Sequence, residues 1–530
     1  MNRKPVVYLA VAGLLATALT ACDMPYVDDV ITVGTTDAVT ASKGAPAPLD
    51  PAFAYDVGTW NILRQTVQTL LIQPRGEGEP VPEAAESCGF TDSGNERYAC
   101  TLRKDLKFAN GDPVTASDVK YSIDRARALK ADSGVFALLS TIDTVESQGD
   151  SKVIFHLKTA DATFPFKLST PVAGIVDPDI YAWKKLRDGF EVDGSGPYTL
   201  KAEVNGDKLV SAVFTKNPNY RGSLKVKNDR VELQKFEDAD EMESALDKGD
   251  IDLMTRTMSP TQLQRLAADD NDKVDLVEMS GLEIRYLAFN TDAPSVKSKA
   301  VRQAMAQVID RGELVTRVYD YQVTPLYSLV PASVTGHSNS FFNKYGNPNV
   351  DRAKSLLRRA GITTPVKLTL HYTTDHYGPA TKLELALLQK QLDNSGLFEI
   401  GIKGDPWAKF RPAAKRGEYE VYGMGWFPDF PDADNYLAPF LDKDNFLGSP
   451  YTNRAIRDTL IPHSRRADVR TLASPTLTRI QDIVANDVPV LPLWQGKQYV
   501  AAHESITGTA YVLNSSSNLQ LWELAGGMKD

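Results

Sequence analysis

Apolar residues recur along most of this chain at the spacings of short helices and half-buried strands. Val301, Ala304, Met305, Val308 and Ile309 fall at i, i+3, i+4, i+7 and i+8. That spacing gathers them on one face and predicts an amphipathic helix from about Ser298 to Ile309. Val153, Phe155 and Leu157 occupy every second position, as do Val366, Leu368, Leu370 and Tyr372, and each set predicts a strand with one face in a core. Ile31 to Thr36 predicts a first strand. Ile62, Leu63, Val67, Leu70 and Leu71 predict a helix over Trp60–Ile72. The segment Thr115 to Asp118 has the form of a capping box with Asp in place of Glu, ahead of a helix carrying Val119 and Ile123. Helical and strand patterns alternate with no fixed repeat, which predicts a mixed α/β protein.

One apolar stretch is of another kind. Val6 to Leu19 is almost wholly apolar, follows Arg3 and Lys4, and precedes the first acid, Asp23. It has the length of a secretory signal core and is too short for a comfortable membrane span. No later run is long enough to span. Export suits the cysteines: besides Cys22 there are only Cys88 and Cys100. An even pair in an oxidising compartment predicts a disulfide, with two free buried thiols as the alternative.

At 530 residues the chain is too long for one core and predicts two or three domains. Its net charge of −9, without basic clusters, argues against nucleic acid as a partner. Of the six histidines only His371 and His376 are near one another, and on a strand-like segment they point to opposite faces. They are read as structural, so neither a metal nor any other cofactor is expected. There is no G-x-S-x-G, no G-x-x-x-x-G-K-[ST] and no H-E-x-x-H. Gly194-Ser195-Gly196 is followed by Pro197, which removes a backbone donor that a phosphate would need, so a turn is expected there. No enzymatic activity is expected.

The stretch Leu19-Thr20-Ala21-Cys22 resembles the lipobox of bacterial lipoproteins. The resemblance implies that residues 1–21 are a removable signal peptide and that Cys22 carries a lipid. The protein would then be tethered to the outer face of the cell membrane, or held in a periplasm. Four further stretches, in their order and separation, resemble the extracellular solute-binding proteins of family 5. They are Thr101–Ser122 with its Leu-Lys-Phe-Ala-Asn-Gly-Asp-Pro-Val core; Gly194–Tyr198; Ala245–Asp252 with Tyr286–Asn290 and Val301–Ala304; and Gly425–Asp432 with Pro489–Trp494.

That resemblance implies a two-lobed, Venus-flytrap α/β fold like that of periplasmic binding proteins, with an additional α/β domain and discontinuous lobes. Residues 22–60 would hold the tether and the first part of lobe I. The additional domain would be 61–170, the second part of lobe I 171–283, lobe II 284–494, and the last part of lobe I 495–530. A monomer of this kind captures peptides by hinge closure and passes them to the permease subunits of an ABC importer, whose ATPase subunits are separate. The same role for an oligosaccharide, a metal chelate or a peptide-like natural product stays open.

The Trp-x-x-Asp unit of peptide-binding relatives maps onto Trp426 and Asp429, with Phe427 between them. There Asp429 would pair with a ligand's α-amino group; the alternative is that it caps a turn among Pro428, Pro431 and Asp432. By the same resemblance Tyr55, Asp56, Phe136, Tyr286 and Trp494 lie in segments that supply cleft walls. Some relatives use an arginine near the Trp-x-x-Asp unit, or in the preceding part of the second lobe, for the peptide carboxylate. Tyr422 to Gly425 contains none, so a peptide's far end would either project into a larger water-filled space or meet Arg411 or Arg416 instead.

Overall fold

The computed structural model describes residues 30–526, apart from 43, 76–77, 132–134, 257, 269–273 and 444. Cys22 and the apolar run before it lie outside the described residues. Among those described, one mixed sheet of eleven strands passes through both lobes. At one end Phe398–Asp405, Val366–Thr373 and Val421–Trp426 run parallel. At the other, Ile31–Thr35 lies parallel between Arg230–Lys235 and Leu253–Thr255. Two long antiparallel strands, Val274–Phe289 and Val490–His503, join the ends.

Between the lobes the register of this long pair slips, from Ser280 to Ile284. Gly281 sits at the slip, where a Cβ would lie 2.8 Å from the carbonyl oxygen of Gly496. Any side chain there would force the two crossing strands apart. Each lobe has its own apolar core. One cluster draws on residues between Leu282 and Trp494, the other on Ile31 to Leu253 together with Val500 to Leu524 and the single residue Phe430.

The periodic segments form as their spacing predicts. The helix Lys299–Val308 buries Val301, Ala304, Met305 and Val308, with Ser298 and Ile309 as its flanking residues. Lys152–Leu157 and Val366–Thr373 are strands. The predicted helix over Trp60–Ile72 is corrected: the helix is Val57–Thr66, and Leu71–Ile72 is a short strand paired with Val81–Pro82. Backbone partners from elsewhere divert the chain. Thr66 O accepts from Gly196 N at 2.9 Å and Gln68 O from Ile175 N at 2.9 Å. The Gly194–Gly196 segment is a bend, and a Cβ on either glycine would collide with the Thr66 backbone.

A separate four-stranded antiparallel sheet orders Ala85–Phe90, Arg97–Leu102, Lys152–Leu157 and Ile142–Gln148. Cys88 and Cys100 stand opposite one another on its first two strands and form a disulfide. The helix Ala116–Leu129 packs on this sheet. At its start the Asp118 carboxylate accepts from Thr115 N at 2.7 Å and from Thr115 Oγ1 at 2.8 Å. Arg125 on this helix donates two hydrogen bonds to Asp50, at 2.9 and 2.7 Å, both side chains being buried. That fork anchors the turn five residues before Tyr55.

Candidate ligand-binding site between the lobes

The strand Val421–Trp426 is buried along its whole length and ends where Pro428 denies it another backbone donor. The chain then loops to the helix Asp434–Leu441. Asn435 organises the loop: its Oδ1 accepts from Asp429 N at 2.8 Å and from Trp426 Nε1 at 3.3 Å. Its Nδ2 donates to Asp429 Oδ2 at 2.9 Å. The turn-capping duty falls to Asp432, which accepts from Asp434 N at 2.8 Å and is gripped by Arg470 at 2.7 and 3.0 Å.

Held this way, Asp429 faces the first lobe. Tyr55 Oη donates to its Oδ2 at 3.1 Å. No lysine or arginine among the described residues forms an ion pair with it, and Arg64 on the helix Val57–Thr66 is the cation that acts on it electrostatically. Burial therefore dominates and pushes the carboxyl up to about 6, against the pull of its hydrogen bonds to Asn435 and Tyr55. Burial likewise lowers Arg64 to about 9, and its Nε and Nη2 have no hydrogen-bond partner. A desolvated carboxylate without a counter-cation is chemically suited to receive an ammonium group.

The other expected residues separate into groups. Phe427 lies under the guanidinium of Arg256, 4.9 Å from its ring centroid, and Arg256 is held from the first lobe by Asp37 at 3.0 Å. This contact borders a shallow recess whose lining includes Thr35, Asp37, Gly58, Asn61, Thr255 and Arg256. Trp426 is buried edge-on against Phe440, as is Tyr286, whose Oη has no hydrogen-bond partner. Trp494 Nε1 donates to Glu384 at 2.6 Å and its ring lies 5.3 Å from the Arg285 guanidinium. Asp56 adjoins Tyr55, but its carboxylate caps the helix Val57–Thr66 by accepting from Thr59 N at 2.9 Å. Phe136 does not join the group. It is exposed on the short helix Val135–Leu139 beside Lys130.

Of the two arginines expected near the ligand's far end, Arg416 is exposed and paired with Glu418 at 2.6 Å. Arg411 packs over Phe446 at 4.0 Å and leaves a buried Nη1 without a partner. A further arginine was missed. Arg285 is the direct register partner of Gly425, and a Cβ on Gly425 would collide with Arg285 Nη1. Its guanidinium lies 3.7 Å over the Tyr377 ring and 3.3 Å from Glu283, with Nη1 buried and unpartnered. The arginine absent from Tyr422–Gly425 is thus matched by one on the neighbouring strand. Arg64 and Asn435 were also missed; Asn435 is the second residue of the helix Asp434–Leu441 and does not cap it, so the usual helix-start signal did not single it out. His371 stacks on Tyr419 and His376 on Trp407, as separate ring contacts.

The two-lobed fold and the polar site between the lobes define a solute receptor. A model of the bacterial extracellular solute-binding proteins, family 5 Middle, matches residues 79–448, well over half of the chain, and the chain belongs to that family. Members of the family are binding proteins of transport systems and not enzymes. The dipeptide-binding protein DppE of Bacillus subtilis strain 168 is 24% identical over 494 residues, covering 88% of each chain. The periplasmic binding protein DppA from Helicobacter pylori, solved with the peptide STSA, superposes with a TM-score of 0.80 at 21% identity, covering 94% of this chain and 98% of that one. AgaA from A. tumefaciens R10, solved with agropinic acid, has a TM-score of 0.78 at 21% identity, with coverages of 94% and 99%. These structures share the two-lobed periplasmic-binding-protein fold. No helix among the described residues is long and apolar enough to cross a membrane.

Proposed function

We propose that this protein captures peptides with a free amino terminus between its lobes and delivers them to the permease of an ABC importer. Asp429 carries the proposal. It is a buried carboxylate between the lobes with no lysine or arginine among the described residues paired to it, and burial holds its proton affinity high until an ammonium arrives. Tyr55, Trp426 and Phe427 frame that position, with Tyr286 behind Trp426. Arg285 and Arg411 offer unpartnered donors for a carboxylate elsewhere in the ligand. Trp494 stands behind Arg285, and Asp56 and Phe136 have no role in this reading.

The division of the chain into 22–60, 61–170, 171–283, 284–494 and 495–530 belongs to the same reading. It draws support from the two apolar cores and from the register slip near residue 284. A lipid on Cys22 also belongs to this reading and would keep a monomeric receptor at high effective concentration beside its permease. Cys22→Ser should move the protein from the membrane fraction to the soluble fraction.

The decisive experiment is native mass spectrometry of protein purified without refolding, followed by calorimetry with di- to hexapeptides and their N-acetylated forms. A co-purified peptide, and binding weakened by acetylation, are expected. A co-purified sugar, chelate or non-peptide metabolite would replace the peptide reading with the second one.

A further inference from the structure

We infer that Phe430 and the backbone at Arg465–Arg466 form a latch that holds the lobes together without ligand. Phe430 follows Asp429 on the second-lobe loop, yet its ring belongs to the apolar core of the first lobe. It is 1% exposed and stacks on Phe166, with centroids 5.6 Å apart and planes at 25°. Phe166 lies in the short helix Phe164–Lys167, just after the four-stranded sheet.

Beside this plug the backbones themselves are joined. Ala162 N donates to Arg465 O at 2.7 Å, and Asn95 Nδ2 donates to Arg466 O at 3.0 Å. Both acceptors belong to a segment rigidly tied to the loop of Asp429. Arg465 forks onto Asp434 at 2.8 and 3.0 Å, and Arg470 forks onto Asp432. On the receiving side Asp161 is buried and fixed by Lys167 at 2.6 Å and Thr163 Oγ1 at 2.6 Å. Phe430, Asp432, Asp434, Arg465 and Arg470 therefore move as one piece, and that piece is held by the domain carrying the four-stranded sheet.

None of these contacts involves the Asp429 carboxylate or the unpartnered arginines, so none needs a ligand. A ligand shifts the balance of open and closed states only by its differential affinity for them. A latch adds a constant preference for the closed state, so the ligand-free receptor rests closed and opening becomes the step that admits solute. Phe430 and Arg465 act here as positioning residues.

The test uses the mature chain freed of bound ligand by unfolding and refolding, with no peptide added. Fluorophores on Val204→Cys and Leu383→Cys, both exposed positions in different lobes, report their separation by energy transfer, and small-angle scattering reports the radius of gyration. Wild type should be compact. Phe430→Ala should shift the open–closed ratio roughly tenfold or more toward open, as expected for removal of a buried aromatic. Asn95 has a φ of 55°, where glycine is at ease, so Asn95→Gly removes the carboxamide without backbone strain and should open the protein more modestly. This second variant keeps the test valid if Phe430→Ala fails to fold. An extended ligand-free wild type, or unchanged transfer and radius in both variants, would overturn the latch. Neither result depends on what the ligand is.

Discussion

The phenol of Tyr55 donates to the carboxylate of Asp429 over 3.1 Å, although 374 residues of chain separate them. The contact closes the space between the lobes at the group best suited to hold an ammonium. In the proposed function an entering amine would displace or share this hydrogen bond and would supply a positive charge beside Asp429.

Asp429→Asn should reduce affinity for peptides with a free α-amino group by about 2–5 kcal/mol, the usual range for truncating one member of a buried charged pair. N-acetylated peptides should be affected far less. For the wild type, affinity should be flat above about pH 7 and fall about tenfold per unit below about pH 6, because protonation removes the anion. Calorimetry across that range checks both; the same steep fall in Asp429→Asn would assign the titration to another group.

The ligand-free stability of the same variant should move the other way. Asp429 has a folded pKa of about 6, above the 3.8 of an ordinary aspartate. The folded state therefore binds the proton more tightly than the unfolded one. Its penalty is present above pH 6 and is relieved as pH falls towards 4. Asp429→Asn should gain about 1–3 kcal/mol near neutrality and almost nothing near pH 4. Urea unfolding of both proteins at the two pH values measures the difference.

Arg125→Met should cost about 3–5 kcal/mol by leaving Asp50 buried without its cation. Replacing both partners with apolar residues should cost less than Arg125→Met alone. Thermal unfolding of the two variants distinguishes a lost attraction from an exposed desolvation cost.

The Cys88–Cys100 bridge closes a short loop between adjacent strands. On the chain-entropy model a loop of this size is worth about 3 kcal/mol. Cys88→Ser with Cys100→Ser should lower the unfolding midpoint accordingly, and alkylation of the unreduced wild type should leave both sulfurs unmodified in the mass spectrum.

Local pattern carried much of the fold. The every-second-position apolar residues of Val366–Tyr372 and the five-residue face of Val301–Ile309 state their own geometry. The stretch after Thr66 did not, because Leu70 and Leu71 continue a helical spacing while Leu70 O accepts from Glu83 N and Ala85 N and Leu71 pairs with Pro82. The site was legible only where a motif named it. Trp426 and Asp429 carried their spacing in the chain, whereas Arg285 entered through the register that sets it against Gly425. No local pattern carries that information. Asp56 and Phe136, of suitable chemistry in a suitable segment, stand apart from Asp429 in the fold: one caps a helix and the other lies on an outer surface.

The two strands that cross between the lobes bear on how the molecule is made. Ile31–Thr35 can meet Leu253–Thr255 early, but Leu253–Thr255 finds its other neighbour only in Val500–Ala502. A chain emerging from its amino terminus thus carries an open sheet edge until its last few dozen residues appear. Pairing over such separations is slow, and an unpaired edge invites association with other chains. A truncation that removes Val490–His503 should leave both lobes unfinished, so neither lobe is complete until that strand has been made.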